Sequence, residues 1–138
     1  MLPHVDFYQL KDENTLNAAC LVLEHAYLNK QRVFVLAQDK SQAEALDELL
    51  WNFKPEAFIP HHLQGEGPTP PPPIQIGFGP APSGFNEILL NLSETIPEFF
   101  SRFKKIIEFV ANDEKAKEIS REHYRDYRAK GCALKFIE

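Results

Sequence analysis

The residues of this chain with the clearest capacity for chemistry lie near its end, in the stretch SREHYRDYR, residues 120–128. In a helix with about 100° between successive residues, basic and aromatic side chains share one sector. These are Lys117, Arg121, Tyr124, Arg125 and Arg128. Arginine suits carboxylates and phosphates, and tyrosine is frequent at binding hot spots. The sector therefore predicts a binding surface for an acidic partner, with an ordinary solvated helix face as the alternative.

A second sector of the same helix is more apolar and holds Ala116, Ile119, His123 and Tyr127. Such a stripe is typical of a helix face that packs on the core. We therefore interpret His123 as a buried imidazole with its hydrogen bonds satisfied, and not as a catalytic base.

Motifs for catalysis, nucleotide binding or metal binding are missing from the sequence. The turn after the first predicted strand reads KDENT, without the glycines that let a phosphate approach a helix N-terminus. The GxG at Gly77 and Gly79 precedes a proline, and neither GK[ST] nor GxSxG occurs. His61 and His62 are adjacent, which is a poor arrangement for chelating one ion. We expect no catalytic residue, no metal and no cofactor.

A second candidate surface surrounds Trp51, the only tryptophan, which lies at the end of a predicted helix and seven residues before Phe58. Large aromatic side chains often close the edge of a core, so burial is one interpretation. The other is an exposed aromatic patch that binds a protein partner. The sequence leaves both interpretations open.

The elements that must position these residues alternate between strand and helix. Apolar runs predict strands at residues 5–10, 32–38, 74–79, 86–92 and 104–111. Helical spacing with capping and turn residues predicts helices at 14–30, from a Ser41 and Glu44 capping box to about Trp51, briefly after Pro97, and from near Asn112 to Gly131. This order predicts a three-layer α/β/α sandwich with a mostly parallel, Rossmann-like sheet that lacks a nucleotide-binding loop.

Two segments receive no strand or helix in this prediction. Residues 58–73 are expected to form an irregular loop, in which the prolines at 70–73 favour a stiff polyproline II segment. The residues after Gly131 form a short tail.

Length and composition indicate a single domain over residues 1–138. The net charge of −5 divides into 5 basic and 13 acidic residues in 1–101, and 10 basic and 7 acidic residues in 102–138. This disfavours general nucleic-acid binding but allows a local basic site. No stretch approaches the ~20 apolar residues of a membrane span, and Cys20 and Cys132 are not in a CxxC motif. We expect a cytoplasmic protein with reduced thiols that binds neither membranes nor DNA directly.

Four segments together resemble one protein family. They are VDFYQL at the start, RVFVLAQDKSQAEALDELLW, FIPHHLQGEGP, and SREHYRDYRAKG near the end. In this order they are similar to the chi subunit family of bacterial DNA polymerase III, from about residue 5 to residue 131. The prolines at 70–73 and the tail after Gly131 depart from the family pattern.

This resemblance implies an accessory subunit of the DNA polymerase III holoenzyme in DNA replication, without an active site of its own. Its implied partners are the psi subunit of the clamp loader and the acidic C-terminal tail of single-stranded DNA-binding protein, which it would link. The implied tail-binding residues are Val110, Lys117, Arg121, Tyr124, Arg125 and Arg128, and the implied psi-binding residues are Trp51 and Phe58. Two alternatives stay open: an interaction module for another acidic peptide, and a degenerate nucleotide-binding enzyme.

Overall fold

The computed structural model describes residues 2–53, 60–64 and 72–138. The strands are β1 (His4–Gln9), β2 (Val33–Leu36), β3 (His61–Leu63), β4 (Ile74–Gly77), β5 (Ile88–Asn91), β6 (Lys105–Val110) and β7 (Ala133–Ile137). The helices are α1 (Thr15–Leu28), α2 (Lys40–Asn52) and α3 (Glu114–Ala129), with a short 3₁₀ helix at Glu98–Arg102. The five predicted strands and the four predicted helices are confirmed.

The strands of the described residues form one sheet in the order β3-β4-β2-β5-β6-β1-β7, and each neighbouring pair is parallel. β2 lies in the middle and all four of its residues are buried. Val33 and Val35 pack on the side of α1 and α2, whereas Phe34 and Leu36 face the opposite side. Burial on both faces explains why this strand reads as a continuous apolar run.

Helices cover both faces of the sheet, which confirms the predicted three-layer α/β/α sandwich. α1 and α2 bury small and branched apolar residues against one face, among them Cys20, Leu23 and Leu46. Burial raises the pKa of the Cys20 thiol to about 11, so this side chain is a neutral apolar group in the core. On the other face, Tyr127 of α3 packs among residues of β1, β2, β5 and β6.

The start of α2 differs from the prediction. Asp39 caps this helix through a hydrogen bond that its side chain accepts from the Gln42 amide at 2.9 Å. The predicted capping box of Ser41 and Glu44 is therefore wrong. Aspartate is at least as good a cap as serine, and once Asp39 takes this role Ser41 falls inside the first turn.

The ends of α3 follow the predicted signals closely. Asp113 is the cap and accepts from the Ala116 amide at 3.0 Å, so that the helix begins at Glu114, two residues after Asn112. Gly131 lies just beyond the helix with φ of +91°, the left-handed conformation that glycine adopts without steric cost. The predicted stop at this glycine is confirmed.

Both edge strands of the sheet were absent from the prediction. β3 lies within the segment predicted as an irregular loop, and β7 lies in the tail after Gly131. Among the residues that the structure describes, each pairs with a single neighbour, β4 for β3 and β1 for β7. Edge strands are short and partly solvated, so their sequences lack the apolar run that marks a central strand. Half of the predicted polyproline segment, residues 70 and 71, lies outside the described residues.

Candidate functional site

The predicted basic sector borders a cavity of about 430 Å³ between α3 and the carboxyl ends of β6, β1 and β7. The residues that line this cavity are Phe7, Gln9, Val110, Lys117, Ser120, Arg121, Tyr124, Arg125 and Phe136. We call this set the α3 cavity. Its place beyond the carboxyl ends of parallel strands is where open α/β sheets commonly bind ligands, and its volume is in the range of small-ligand sites.

The sheet supplies an apolar floor to the α3 cavity. Strand register sets Phe7 of β1 beside Phe136 of β7, and Gln9 beside Val110 of β6. The Tyr124 ring on α3 lies 5.5 Å from the Phe7 ring, centroid to centroid. The floor is therefore built from three neighbouring strands, and one aromatic residue of α3 closes it.

Three cations form the wall of the α3 cavity. Lys117, Arg121 and Arg125 are spaced four residues apart, so they stack along one side of α3 on successive turns. Within the described part of the chain, none of them has a hydrogen bond or an ion pair with another side chain. A wall of unpaired cations over an apolar floor can hold a ligand that is both anionic and apolar.

Five of the six predicted tail-binding residues line the α3 cavity, from Val110 to Arg125. Arg128 is exposed and is not among the described residues that line it. The sequence did not indicate Phe7, Gln9, Ser120 or Phe136. Phe7 stood in a recognised strand, but which strands neighbour it depends on pairing with residues about a hundred positions away. Phe136 lies on the unpredicted strand β7.

A buried polar cluster beside this cavity fastens α3 to the sheet. The Glu108 carboxylate of β6 faces His123 Nδ1 at 2.6 Å and accepts a hydrogen bond from the Tyr127 hydroxyl at 2.5 Å. The Asn91 amide donates a further hydrogen bond at 3.1 Å, and His123 Nε2 lies 2.8 Å from the Glu94 backbone carbonyl. The interpretation of His123 as a buried imidazole with satisfied hydrogen bonds is confirmed.

The surroundings of this cluster change the pKa values of two of its members. Burial lowers the pKa of His123, but hydrogen bonding to Glu108 and its charge, with smaller contributions from the Glu94 carbonyl and Asp126, raise it above the ordinary value. Burial strongly raises the pKa of Tyr127, and the nearby charge of Glu108 raises it further. The hydroxyl therefore remains protonated and acts as a donor to the carboxylate.

Trp51 lies far from this cluster along the chain, in the last turn of α2, and 47% of its surface is exposed. Its ring lies 4.3 Å from the ring of His61, which is buried and has Nε2 3.2 Å from the Asp47 backbone carbonyl. Trp51 is therefore not enclosed in the core, and its role at a partner surface stays a prediction. Phe58 lies outside the described residues.

Comparison with known proteins identifies the chain. Residues 2–135 match the family model described as DNA polymerase III chi subunit, HolC. The chain is 30% identical to the DNA polymerase III subunit chi of Escherichia coli strain K12 over 141 residues, covering 96% of both chains. It is 32% identical to the Pseudomonas aeruginosa subunit, with 96% and 94% covered, and 33% identical to the Haemophilus influenzae subunit, with 97% and 96% covered.

The chain belongs to the DNA polymerase III chi subunit family. The chi subunit is an accessory subunit in DNA replication rather than the catalytic subunit of the polymerase. The family match spans every residue that lines the α3 cavity except Phe136. The resemblance seen in the four sequence segments is thereby confirmed.

The start of α1 bears on the alternative of a degenerate nucleotide-binding enzyme. The N-terminus of α1 is capped by Asn14, whose side chain accepts from the Asn17 amide at 3.0 Å, and Asp12 stands in the preceding turn. An acidic turn and an occupied cap are unfavourable to a phosphate at this helix end. The described residues contain no group of three or more potential metal ligands and no helix long and apolar enough to cross a membrane.

Proposed function

We propose that this chi subunit binds the acidic C-terminal tail of single-stranded DNA-binding protein in the α3 cavity. Through the psi subunit it would link that tail to the clamp loader during DNA replication. The observation that carries the proposal is the α3 cavity itself, where three cations on one helix face an apolar floor. A C-terminal peptide with an apolar last residue and acidic residues before it has the matching chemistry.

Arg121 is the residue proposed to hold the terminal carboxylate of the tail. It lies in the middle of the cation wall, one turn from Lys117 and one turn from Arg125. A carboxylate at Arg121 would therefore have a further positive charge on each side. Its hydrogen bonds would be charge-assisted, and the guanidinium can offer two in parallel.

The last side chain of the tail would occupy the floor of the cavity. Phe7 and Val110 offer a buried apolar surface, and Phe136 is half exposed at the edge. The last side chain of the tail would itself leave water on this floor, and half-exposed Phe136 would be covered, which supplies the favourable burial. Acidic residues upstream would lie along Lys117 and Arg125.

The expected affinity is modest, because a disordered tail must be ordered when it binds and only a few residues are buried. Coupled folding and binding costs about 2–5 kcal/mol of the gross interaction energy. We therefore expect a dissociation constant of about micromolar size. Charge complementarity would increase the association rate and make binding weaker at high salt.

The proposal is tested by mapping the tail peptide on the isotopically labelled protein by NMR. We expect the largest amide shifts at Phe7, Val110, Tyr124 and Phe136, and none at Trp51. An acidic peptide of scrambled sequence with a polar last residue is the control, and it should bind more weakly. Equal binding of both peptides would favour the general module for acidic peptides. Shifts centred on another surface, or none at all, would contradict the proposal.

The psi subunit is proposed to bind at the exposed aromatic surface of Trp51, with Phe58 from the following segment. Exposed aromatic side chains are frequent anchors of protein interfaces. Trp51→Ala should weaken the psi complex and leave tail-peptide affinity unchanged. Phe78→Ala is a matched control, because Phe78 is an aromatic residue of similar exposure, 55%, in the segment directly after β4. If Trp51→Ala retains full psi binding, or if Phe78→Ala weakens it equally, the assignment of Trp51 is wrong.

A further inference from the structure

The pair formed by His123 and Glu108 lies beside the proposed site, buried between α3 and the sheet. His123 Nδ1 is 2.6 Å from the Glu108 carboxylate and Nε2 is 2.8 Å from the Glu94 carbonyl. Both partners are hydrogen-bond acceptors, and a neutral imidazole can donate from only one nitrogen. The geometry is therefore satisfied in full when the ring carries two protons and a positive charge.

The charged groups around the ring reinforce this state. Residues of β6, of the segment after β5, of the 3₁₀ helix and of α3 line the spaces around it. The charged residues that share a cavity or a contact with His123 are Glu94, Glu98, Glu108, Glu122, Asp126 and Lys130. Five of these six are acidic, so the local field favours the protonated ring.

A chain of contacts joins this pair to the α3 cavity. The Tyr127 hydroxyl donates to the Glu108 carboxylate, which His123 also contacts. The Tyr127 ring lies 6.1 Å from the Phe7 ring in an edge-on arrangement. The Phe7 ring in turn contacts Tyr124, and both line the cavity. Ser120 lines the α3 cavity as well as a smaller space of about 160 Å³ beside His123.

We propose that protonated His123 is a positioning residue for the α3 cavity, so that the affinity for an acidic peptide falls when the ring loses its proton. The inference rests on the proposed function, because the acidic peptide is the ligand whose affinity would respond. His123 does not line the cavity and would act through the position of α3.

Loss of the proton changes the contacts that hold α3. One ring nitrogen then presents a lone pair to an oxygen, either of Glu108 or of the Glu94 carbonyl, and the buried carboxylate loses its counter-charge. Unpairing a buried charge is unfavourable, and a small displacement of α3 relieves it. Such a displacement moves Arg121, Tyr124 and Arg125 together relative to the floor on β1 and β6.

The first experiment measures the dissociation constant of an N-acetylated tail peptide by fluorescence anisotropy between about pH 6 and pH 9, a range in which arginine and aspartate do not titrate. We expect constant affinity at the acidic end and a loss of about five-fold or more as the ring deprotonates, in the usual range of coupling between two sites. His123→Gln, which is always neutral, should bind with the lower affinity throughout. His123→Arg, which is always charged, should remove the pH dependence and retain more affinity than His123→Gln.

A second measurement uses the unaltered chain and so does not depend on how the variants fold. Linkage requires that a peptide favoured by the protonated state also favours protonation. Saturating peptide should therefore lower the acid dissociation constant of the His123 ring by the same factor of about five, and so raise its pKa. NMR of the ring measures this change. Repeating the titration at high salt excludes direct attraction between peptide and ring, since screening would remove that contribution.

The possible failures can be distinguished. A peptide that does not bind at any pH contradicts the proposed function. A peptide that binds equally well across the range, with an unchanged pKa of His123, leaves the proposed function standing and overturns the positioning role of His123.

Discussion

The two faces of the sheet in this chi subunit are built differently. Beneath α1 and α2 lies a large cluster of apolar side chains, including Leu23, Leu46 and Ile76, all fully buried. Beneath α3 the apolar cluster is joined by buried polar groups, and Glu108 and His123 are among them. The first face gains stability from apolar area and the second fixes one helix in a defined place. The proposed binding site lies on the second face.

The largest effect is expected from a cavity on the apolar face. Leu46 is fully buried in α2, so Leu46→Ala should lower the free energy of unfolding by about 3 kcal/mol. Chemical denaturation measures this loss. The folded fraction should bind the tail peptide with unchanged affinity, because the α3 cavity lies across the sheet. If the folded fraction of the variant binds the peptide more weakly than the unaltered protein does, the two faces are not independent.

A smaller loss is expected from the buried cluster under α3. Tyr127→Phe removes one hydroxyl that donates to the Glu108 carboxylate, and a hydrogen bond to a charged group is worth about 1.5–3 kcal/mol. This variant should lose stability within that range and also lose some peptide affinity, unlike Leu46→Ala. Denaturation and anisotropy on the same sample give both values. A stable variant with full affinity would mean that the cluster does not position α3.

The stability of the protein should also depend on pH through His123. Its pKa is raised in the folded protein, so folding favours the protonated ring. This contribution is complete below about pH 6.5, the ordinary value of histidine, and is lost as pH rises through the folded pKa. Denaturation midpoints should therefore fall as pH rises above neutrality, and His123→Gln should remove this slope. An equal slope in the variant would assign the pH dependence to another group.

The smallest effects are expected from the exposed basic residues of α3. Arg125 borders the cavity and Arg128 does not, but both are exposed. Single exposed ion pairs are worth about 1 kcal/mol or less. Each alanine variant should lose at most that much peptide affinity, with Arg128→Ala the weaker, and each should flatten the salt dependence of binding. If Arg128→Ala costs more than Arg125→Ala, the tail leaves the cavity on a different path.

Much of the fold could be predicted because its central strands are buried on both faces and carry apolar runs. β2 and β6 are clear examples. The edge strands β3 and β7 could not be predicted. A strand that is partly exposed at the edge of a sheet lacks the apolar run that marks a central strand. The cap at Asp39 was missed because two good cap residues compete within three positions.

One part of the candidate site could likewise be predicted from local sequence, and another part depends on contacts between distant segments. The basic sector follows from helical periodicity alone, which is why the wall of the α3 cavity could be predicted. The floor depends on which strands lie beside β6, and no local pattern specifies that β1 and β7 do. The partnership of His123 with Glu108 was likewise unforeseen, because it joins α3 to β6 across 15 positions of the chain.

The most direct test of the proposed role of the α3 cavity is a double-mutant cycle between Arg121 and the terminal carboxylate of the tail. Arg121→Ala and amidation of the peptide each delete the same proposed contact, so each alone should cost about 2 kcal/mol of binding free energy. Calorimetry on the four combinations of protein and peptide gives the coupling. We expect amidation to add little once Arg121 is gone. Fully additive losses would show that Arg121 does not hold the carboxylate, and would contradict the proposed role of the α3 cavity.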